Sequence, residues 1–253
     1  MAFDSSKHKA TKSDDGSFTA YSTEFEEHYH STKDGALHES LCKHVLPALK
    51  HTQNKDEIVI LDICFGLGFN TLATLFALKD TKKKVSIYSP EFDVDLVRSL
   101  VEFNYPDEFN SYKEIITALA NTQQYESNDL KISIYLGDAR IFLRELRKRS
   151  SEEAFGFDIV YQDAFSPSTN PLLWTSEYFS DIAALMKDEA ILTTYSTALA
   201  TRIALYENGL NVYLHKGEGF RNATLASKSN LEYEKVDMEH KMACNPGFTA
   251  LKD

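Results

Sequence analysis

The chain has 253 residues, a formal net charge of −11 and a hydrophobic content of 43%, which suits one large α/β domain or a domain with an appendage. No apolar run approaches the roughly 18 residues of a membrane span, and the negative charge argues against a protein that coats nucleic acid by bulk electrostatics. The N-terminus lacks the apolar core of a signal peptide and the three cysteines lack metal-binding spacing, so we expect a reduced, cytoplasmic protein without membrane or metal partners.

The first 50 residues differ in composition from the rest of the chain. Residues 1–16 are polar and rich in lysine and aspartate, which predicts a poorly ordered tail. Residues 17–50 predict an N-terminal extension that covers the site, with several aromatic residues followed by a helix near 35–50 that ends around Pro47.

Beyond residue 50, apolar runs at strand spacing and at helix spacing alternate along the chain. The predicted strands are Ile58–Ile63, Val85–Tyr88, Ile132–Leu136, Phe157–Tyr161, Ala190–Tyr195, Leu210–His215 and Ala223–Ser227. The predicted helices are 69–78, 93–103, 108–125, 139–149, 175–187 and 197–207. This alternation predicts a Rossmann-like α/β domain over 51–230, with a mostly parallel seven-stranded sheet and an antiparallel pair at its end. A C-terminal tail would cover 231–253.

A glycine-rich loop follows the first strand of this domain, in Asp62-Ile-Cys-Phe-Gly-Leu-Gly-Phe-Asn70. Gly66 and Gly68 let the backbone approach a ligand closely, although two glycines in this turn can also serve tight-turn geometry alone. The dinucleotide fingerprint has a third glycine where this chain has Thr71, so NAD is disfavoured. An acid ahead of such a loop is typical of S-adenosylmethionine (SAM) enzymes. We therefore predict a SAM site that includes Asp62, Gly66, Gly68 and Asn70.

Two further acids follow the next two strands. Glu91 lies about 20 residues after the glycine loop, where an acid typically accepts ribose hydroxyls. Asp138, followed by Ala139, ends the third strand, where an acid can accept a hydrogen bond from an adenine amino group. Each acid also fits a helix N-terminus, Glu91 through the helix dipole and Asp138 as an N-cap. Because three acids end three successive strands, we predict that Glu91, Asp138 and Ala139 belong to the cofactor site.

The most informative stretch is Tyr161-Gln-Asp-Ala-Phe-Ser-Pro-Ser-Thr-Asn-Pro-Leu-Leu-Trp174. The apolar strand Phe157–Tyr161 is followed by Asp163 and by a loop with two prolines and the only tryptophan of the chain. Ligands of open α/β sheets bind beyond the carboxyl ends of the strands. A carboxylate there can orient an amine and stabilise the ammonium that forms as the amine attacks a sulfonium methyl group. We predict that Asp163 is catalytic.

With these residues in place, the chain resembles the MnmC-type tRNA methyltransferases from about residue 11 to residue 228. The motifs that carry the resemblance are Asp15-Gly-Ser-Phe-Thr19, Tyr29-His-Ser31, Phe65-Gly-Leu-Gly-Phe-Asn70 and the loop from Asp163 to Trp174. The resemblance implies a class I SAM-dependent methyltransferase. Its methyl acceptor would be the aminomethyl group of a wobble uridine in a tRNA anticodon loop, and its product 5-methylaminomethyl(-2-thio)uridine.

Bifunctional relatives carry a flavin-dependent oxidase domain. This chain is too short for one, so it resembles the stand-alone methyltransferase, and a separate enzyme would supply the aminomethyl intermediate. In the family's glycine loop Cys64 stands in place of a glycine, and we expect a negative φ there. Thr169 and Glu218 stand where relatives carry cations that could meet RNA phosphates.

The acceptor pocket is predicted from the N-terminal extension and from the Asp163 loop. Its candidate residues are Tyr29, His30, Phe165, Pro167 and Trp174. His30 can instead be a satisfied structural group. Trp174 can stack on a base of the RNA or anchor the start of a helix.

Two other functions stay open on the sequence alone. The first is an aminopropyltransferase of the spermidine synthase type, which would need a second acid near Asp163, where Ser166 and Ser168 stand. The second is a non-catalytic SAM-fold protein that acts as a binding partner.

Overall fold

The computed structural model describes Phe3 and residues 7–150 and 155–253, which form two β-sheets and the helices around them. The strands are β1 (His8–Lys12), β2 (Phe18–Ser22), β3 (Glu27–His28), β4 (Glu57–Ile63), β5 (Lys84–Glu91), β6 (Gln124–Glu126), β7 (Leu130–Leu136), β8 (Phe157–Gln162), β9 (Met186–Thr194), β10 (Asn211–His215), β11 (Ala223–Ser227) and β12 (Glu234–Lys235). The α-helices are α1 (Ala36–Glu39), α2 (Leu46–His51), α3 (Phe69–Leu78), α4 (Val94–Ser99), α5 (Lys113–Thr122), α6 (Ala139–Ser150), α7 (Ser176–Leu185), α8 (Leu199–Glu207) and α9 (Met238–Ala243).

The larger sheet has the strand order β12-β10-β11-β9-β8-β4-β5-β7-β6. Its five central strands, β9-β8-β4-β5-β7, are parallel, and the flanking strands are antiparallel. The α/β class and the antiparallel pair of β10 and β11 are therefore confirmed. The sheet has nine strands rather than the predicted seven, because the short β6 and β12 add one strand at each edge. Short polar edge strands carry too little apolar pattern to be recognised.

Strand β8 lies at the centre of the sheet and is buried along its whole length, as its apolar run predicts. Its side chains alternate between two apolar cores. Ile159 and Tyr161 belong to one core, and Val160 belongs to the other together with Trp174. Asp158 near the amino end of β8 is paired with Lys55 and Lys187, and Asp163 follows the carboxyl end of the strand.

Strand β1 forms within the stretch for which the sequence predicts disorder. It pairs antiparallel with β2 over its whole length, and β3 completes a small three-stranded sheet. The prediction of disorder is therefore wrong for residues 7–16, because backbone pairing and the buried side chain of His8 outweigh the polar composition. Residues 1–2 and 4–6 of the predicted tail lie outside the described residues.

The C-terminal segment 231–253 is likewise more than a tail. It contributes β12 and α9, and Leu251 pairs with Thr175 in a parallel bridge. The Asp253 carboxylate accepts a hydrogen bond from the Thr175 hydroxyl at 2.8 Å and pairs with Arg140. These contacts hold the end of the chain against the start of α7.

The helix predicted near 35–50 does not end at Pro47. A π-helical segment over Ser40–Val45 links α1 to α2, which continues to His51. Pro47 lies at the start of α2, directly after the π-helical segment, so the helical run continues past it although its missing N–H removes one hydrogen bond to the preceding turn. π-helical turns are rare and are frequent at functional sites. This one contains the completely buried His44.

None of the helices in the described part of the chain has the length and apolarity that a bilayer crossing requires.

Candidate active site

A cavity of about 850 Å³ opens at the carboxyl ends of the parallel strands. Its floor includes Cys64 and Gly66 after β4, Glu91 at the end of β5, Asp138 after β7 and Asp163 after β8. Its cover comes from the three-stranded sheet and the segment that follows it. Ligands of open α/β sheets bind at this edge, and the volume is typical of small-molecule sites.

The glycine loop forms one end of the cavity. Gly66 and Gly68 have φ angles of +55° and +75°, which favour glycine, and Gly68 begins α3. A Cβ atom on Gly66 would lie 3.2 Å from a ring carbon of Tyr29, so the loop and the cover are in close contact. Gly66 lines the cavity, whereas Gly68 lies outside its lining.

Cys64 has a φ of +63°, so the expectation of a negative φ at this position is wrong. The loop keeps the left-handed turn that a glycine adopts easily, at a cost of roughly 1–2 kcal/mol for a residue with a side chain. Cys64 lines the cavity. Burial and the neighbouring Glu91 raise its pKa well above the usual range, which favours the neutral thiol and argues against a nucleophilic role.

Glu91 connects the second strand to the glycine loop. Its Oε2 accepts the Gly66 N–H at 2.7 Å, and its Oε1 accepts the Asp93 N–H at 2.8 Å. Burial raises the pKa of Glu91, although these backbone hydrogen bonds oppose the shift. Each carboxylate oxygen keeps a lone pair that a ligand hydroxyl can reach from the cavity.

Asp138 caps helix α6. Its Oδ1 accepts the N–H groups of Arg140 and Ile141 at 2.7 and 3.2 Å. The N-cap interpretation of this acid therefore applies, and the side chain lines the cavity as well, together with Ala139. The second carboxylate oxygen has capacity for a ligand donor.

Asp62 is buried beneath the cavity and does not line it. It accepts the Thr71 hydroxyl at 2.7 Å and is 3.5 Å from the Asn70 amide nitrogen, so it fastens the start of α3 to β4. Burial raises the pKa of Asp62 to about 7, and the nearby Asp163 carboxylate adds to the shift. The same Asn70 amide donates to Asp163 at 2.9 Å. Asn70 thus lies between the cofactor loop and the predicted catalytic acid.

Asp163 has its side chain 16% exposed, which lets a ligand in the cavity reach it. Its Oδ2 accepts from Asn70, and its Oδ1 lies 3.4 Å from His44 Nε2. Burial by itself would raise the pKa of Asp163. The nearby His44 at 3.4 Å, the His30 ring and the hydrogen bond from the Asn70 amide outweigh burial and lower the pKa to about 2. Asp163 is therefore a carboxylate anion at neutral pH.

An aromatic cluster joins the cover of the cavity to the Asp163 loop. The Phe165 ring stacks on Phe25 at 4.7 Å between centroids and meets Tyr29 edge-on at 5.0 Å. The Tyr29 hydroxyl is 3.2 Å from His8 Nδ1. Tyr29, His30 and Phe165 all line the cavity, so the structure brings these three predicted acceptor residues together.

Pro167 and Trp174 do not line the cavity. Trp174 is completely buried, and its indole N–H donates to the Phe165 carbonyl at 2.8 Å. A ring without exposed surface cannot stack on a base, so Trp174 fits its second interpretation, an apolar anchor that supports the loop from behind.

Three polar residues of the site were not found from the sequence. Glu27 accepts the Ser166 N–H at 2.9 Å, the Thr169 hydroxyl at 2.8 Å and the Ser166 hydroxyl, and so fastens β3 to the Asp163 loop. Glu39 lines the cavity and accepts the Ser31 N–H at 2.6 Å. His44 lies behind Asp163. Glu27 and His44 are single polar residues without a motif around them, and the aromatic content of residues 17–50 indicated only that this segment covers the site.

Comparisons with known proteins agree with this geometry. A family model described as S-adenosyl-L-methionine-dependent methyltransferase matches residues 107–230. The crystal structure of MnmC2 from Aquifex aeolicus superposes with a TM-score of 0.85 and 31% sequence identity, over 99% of this chain and 80% of that chain. The chain belongs to the MnmC-type family of SAM-dependent methyltransferases. The predicted family, its class I fold and its cofactor are therefore confirmed.

Two curated relatives are longer than this chain. An uncharacterized protein of Methanocaldococcus jannaschii is 30% identical over 235 residues, which cover 88% of this chain and 60% of that protein. The tRNA 5-methylaminomethyl-2-thiouridine biosynthesis bifunctional protein MnmC of Ralstonia nicotianae is 29% identical over 231 residues, 83% of this chain and 33% of that protein. The chain thus spans about 60% and a third of the length of these two relatives.

The residues of the cavity suit SAM. The positive-φ backbone at Gly66, the carboxylates of Glu91 and Asp138 and the adjoining anion of Asp163 give hydroxyl acceptors at one end and a negative charge at the other. SAM carries ribose hydroxyls, an adenine amino group and a cationic sulfur. Among the described residues, no group of three or more His, Cys, Asp or Glu side chains has the geometry of a metal site.

Proposed function

We propose that this chain transfers the methyl group of SAM to the aminomethyl group of a wobble uridine in the anticodon loop of tRNA. The product is 5-methylaminomethyl(-2-thio)uridine. The observation that carries the proposal is the position of Asp163, a carboxylate anion that adjoins the glycine loop and opens into the same cavity. The family of the chain and the name of its Ralstonia relative support this choice of acceptor.

The donor side of the proposed site consists of the strand ends. Gly66 gives close access to the backbone, Glu91 accepts the ribose hydroxyls, and Asp138 accepts the adenine amino group. Bound SAM supplies a methyl group on a positively charged sulfur. Asn70 fixes the distance between this side and Asp163, because its amide lies between Asp62 and Asp163.

Asp163 serves the acceptor side. Its carboxylate accepts a hydrogen bond from the amine N–H, which turns the nitrogen lone pair toward the methyl carbon. The carbon–nitrogen bond forms as the carbon–sulfur bond breaks, S-adenosylhomocysteine leaves, and Asp163 stabilises the positive charge that grows on nitrogen. The extra proton of the ammonium passes to water. A carboxylate that is already ionised at neutral pH suits this role, because it can accept the hydrogen bond from the amine without first losing a proton.

The lining of the acceptor side favours an amine over an anionic group. Glu27, Glu39 and Asp163 contribute negative charge, and Tyr29 and Phe165 provide aromatic surface that can pack on a base. The exposed Lys33 and Arg221 also border the cavity, where they can meet phosphates of the RNA.

We further propose that a separate enzyme supplies the aminomethyl intermediate and that the reaction takes place in the cytoplasm.

An aminopropyltransferase reaction is less favourable in this cavity. It needs a second free acid near Asp163 for the ammonium groups of a polyamine. Glu27 reaches the loop, but three donors from Ser166 and Thr169 already occupy it, and Glu39 is paired with Lys43.

The test is methyl transfer in vitro. Purified protein is incubated with SAM and with tRNA that carries 5-aminomethyl(-2-thio)uridine, and the digested nucleosides are measured by mass spectrometry. We expect 5-methylaminomethyl(-2-thio)uridine to form in proportion to the SAM consumed. Unchanged nucleosides, in a preparation for which calorimetry shows SAM binding, would rule out this acceptor.

A further inference from the structure

His44 lies behind Asp163 on the side away from the cavity. Its ring has no exposed surface, Nε2 is 3.4 Å from Asp163 Oδ1, and Nδ1 is 3.0 Å from the Thr193 hydroxyl oxygen. We propose that His44 is a positioning residue that holds the catalytic carboxylate in its orientation and in its ionised form. The proposal rests on the proposed function in one respect, namely that Asp163 is the group that meets the amine.

The hydrogen-bond partners of His44 determine where its ring carries a proton. An ionised carboxylate can only accept, so Nε2 must present an N–H toward Asp163. The Thr193 hydroxyl can donate to Nδ1 of a neutral ring or accept from Nδ1 of a charged ring. In both states Nε2–H faces Asp163. Among the described residues, no group meets hydrogen-bond geometry with Nε2, so the Asp163 carboxylate at 3.4 Å is the nearest acceptor on which this buried N–H depends.

The two oxygens of Asp163 have separate donors. Asn70 donates to Oδ2 at 2.9 Å, and His44 approaches Oδ1 at 3.4 Å. Because Asn70 and His44 contact different oxygens, together they fix the plane of the carboxylate. A contact to one oxygen alone would leave the carboxylate free to rotate. The His44 contact is long for a hydrogen bond, so Oδ1 keeps capacity for a second donor from the cavity. We assign that position to the acceptor amine.

The surroundings of His44 keep it rigid. It occupies the π-helical segment over Ser40–Val45, its ring meets Tyr161 edge-on at 6.1 Å, and Thr193 lies within β9. Its two polar contacts therefore come from the carboxyl ends of β8 and β9 in the central sheet. A side chain held in this way can orient Asp163 without contacting the substrate.

Several charged or titratable groups face His44. They are Asp163, Asp62, His30, His215 and Tyr161. Burial lowers the pKa of both His30 and His215, which favours their neutral forms. If His44 is removed, burial raises the pKa of Asp163, and only Asn70 still donates to the carboxylate.

The test compares His44→Ala with His44→Gln, whose side-chain amide can donate to Asp163 from a similar position. We expect His44→Ala to lower kcat about 10- to 100-fold, with the KM for tRNA and the Kd for SAM within about twofold of wild type, since misplacement of a reacting group acts on the chemical step. His44→Gln should recover much of the loss. Thr193→Val, which removes the Nδ1 partner without changing the shape of the side chain, should give a smaller loss in kcat.

A second readout does not require turnover. The Asp163 carboxyl group is followed by ¹³C NMR in aspartate-labelled protein and assigned with Asp163→Asn. In wild type we expect the signal of the anion throughout the range from about pH 4 to about pH 8, whereas in His44→Ala it should titrate within this range. If wild type does not methylate the tRNA but this shift is seen, the proposed substrate fails and the role of His44 stands.

Two results would overturn the proposal. One is a His44→Ala protein with wild-type kcat and a wild-type Asp163 titration. The other is a His44→Gln protein that is as inactive as His44→Ala and shows the same Asp163 titration as His44→Ala. The donated N–H would then make no difference, and the role of His44 would be structural only. If His44→Ala does not fold, as judged by circular dichroism, His44→Gln and Thr193→Val decide by the same NMR titration. In that case a Thr193→Val protein with a wild-type kcat and a wild-type Asp163 signal counts against the proposal, and so does a His44→Gln protein that loses the signal of the anion although its amide can donate.

Discussion

Asp62→Asn should change how the stability of the protein depends on pH. Asp62 is completely buried, and its pKa in the folded protein is raised to about 7 by burial and by the nearby Asp163. In the unfolded chain its pKa is about 3.9. The unfolded state therefore releases this proton at a lower pH than the folded state does. The free energy of unfolding contributed by this group falls as the pH rises from about 4 through about 7.

The size of the effect follows from the two pKa values. A difference of about 3 pH units corresponds to about 4 kcal/mol when it is fully expressed above pH 7. Between about pH 5 and about pH 8, the ionisation of Asp62 should lower the free energy of unfolding of wild type by on the order of 3 kcal/mol. Asp62→Asn matches the neutral acid in shape and has no proton to lose, so this part of the pH dependence should be absent.

The assay is urea denaturation of wild type and Asp62→Asn at both pH values, followed by circular dichroism. Other groups, including Glu91 and Asp163, also titrate between the folded and unfolded states, but they are present in both proteins and largely cancel in the difference. Between pH 5 and pH 8, we expect the free energy of unfolding of Asp62→Asn to rise by about 3 kcal/mol relative to that of wild type. Equal pH dependence in the two proteins would refute the reasoning, because Asp62 would then be ionised in the folded state as in the unfolded one.

Three further substitutions test other parts of the site. Trp174→Ala should destabilise the protein by about 3–5 kcal/mol in urea denaturation, whereas Trp174→Phe should keep most of the methyl transfer, because the ring acts from behind the loop. Glu27→Ala should raise the KM for tRNA while the SAM affinity by calorimetry stays unchanged, and Glu27→Gln should lie in between; a shared loss of SAM affinity would contradict this. Gly66→Ala should weaken SAM binding about tenfold or more, because its Cβ meets Tyr29 at 3.2 Å. Gly209→Ala is its control, since Gly209 has a φ of +79° and no described atom within 4 Å of the added Cβ.

The main architecture could be predicted from the sequence because its strands are apolar and continuous. β4, β7 and β8 are rich in β-branched and aromatic residues, and each ends at the edge of the sheet where ligands bind. Glu91, Asp138 and Asp163, at the ends of β5, β7 and β8, lie around one cavity, whereas Asp62 is buried beneath it. Local pattern was sufficient here, because the carboxyl ends of parallel strands meet by topology alone.

The parts that were missed depend on contacts between residues far apart in the chain. Glu27 and Ser166 are 139 positions apart, and His44 and Thr193 are 149 positions apart. Nothing in the neighbouring residues of Glu27 or His44 indicates such partners. The ordered strand β1 and the segment 231–253 were missed for the same reason, since they are held by pairing with distant residues rather than by their own apolar content.

The role of Asp163 in methyl transfer to an amine is tested most directly by Asp163→Asn, assayed with SAM and aminomethyl-uridine tRNA. Asparagine keeps the shape of the side chain but removes the negative charge. We predict that wild type forms 5-methylaminomethyl(-2-thio)uridine and that Asp163→Asn forms it at least about 100-fold more slowly, with SAM affinity by calorimetry nearly unchanged. A variant as fast as wild type would contradict the account, and a variant that no longer binds SAM would show that Asp163 belongs to the cofactor site instead.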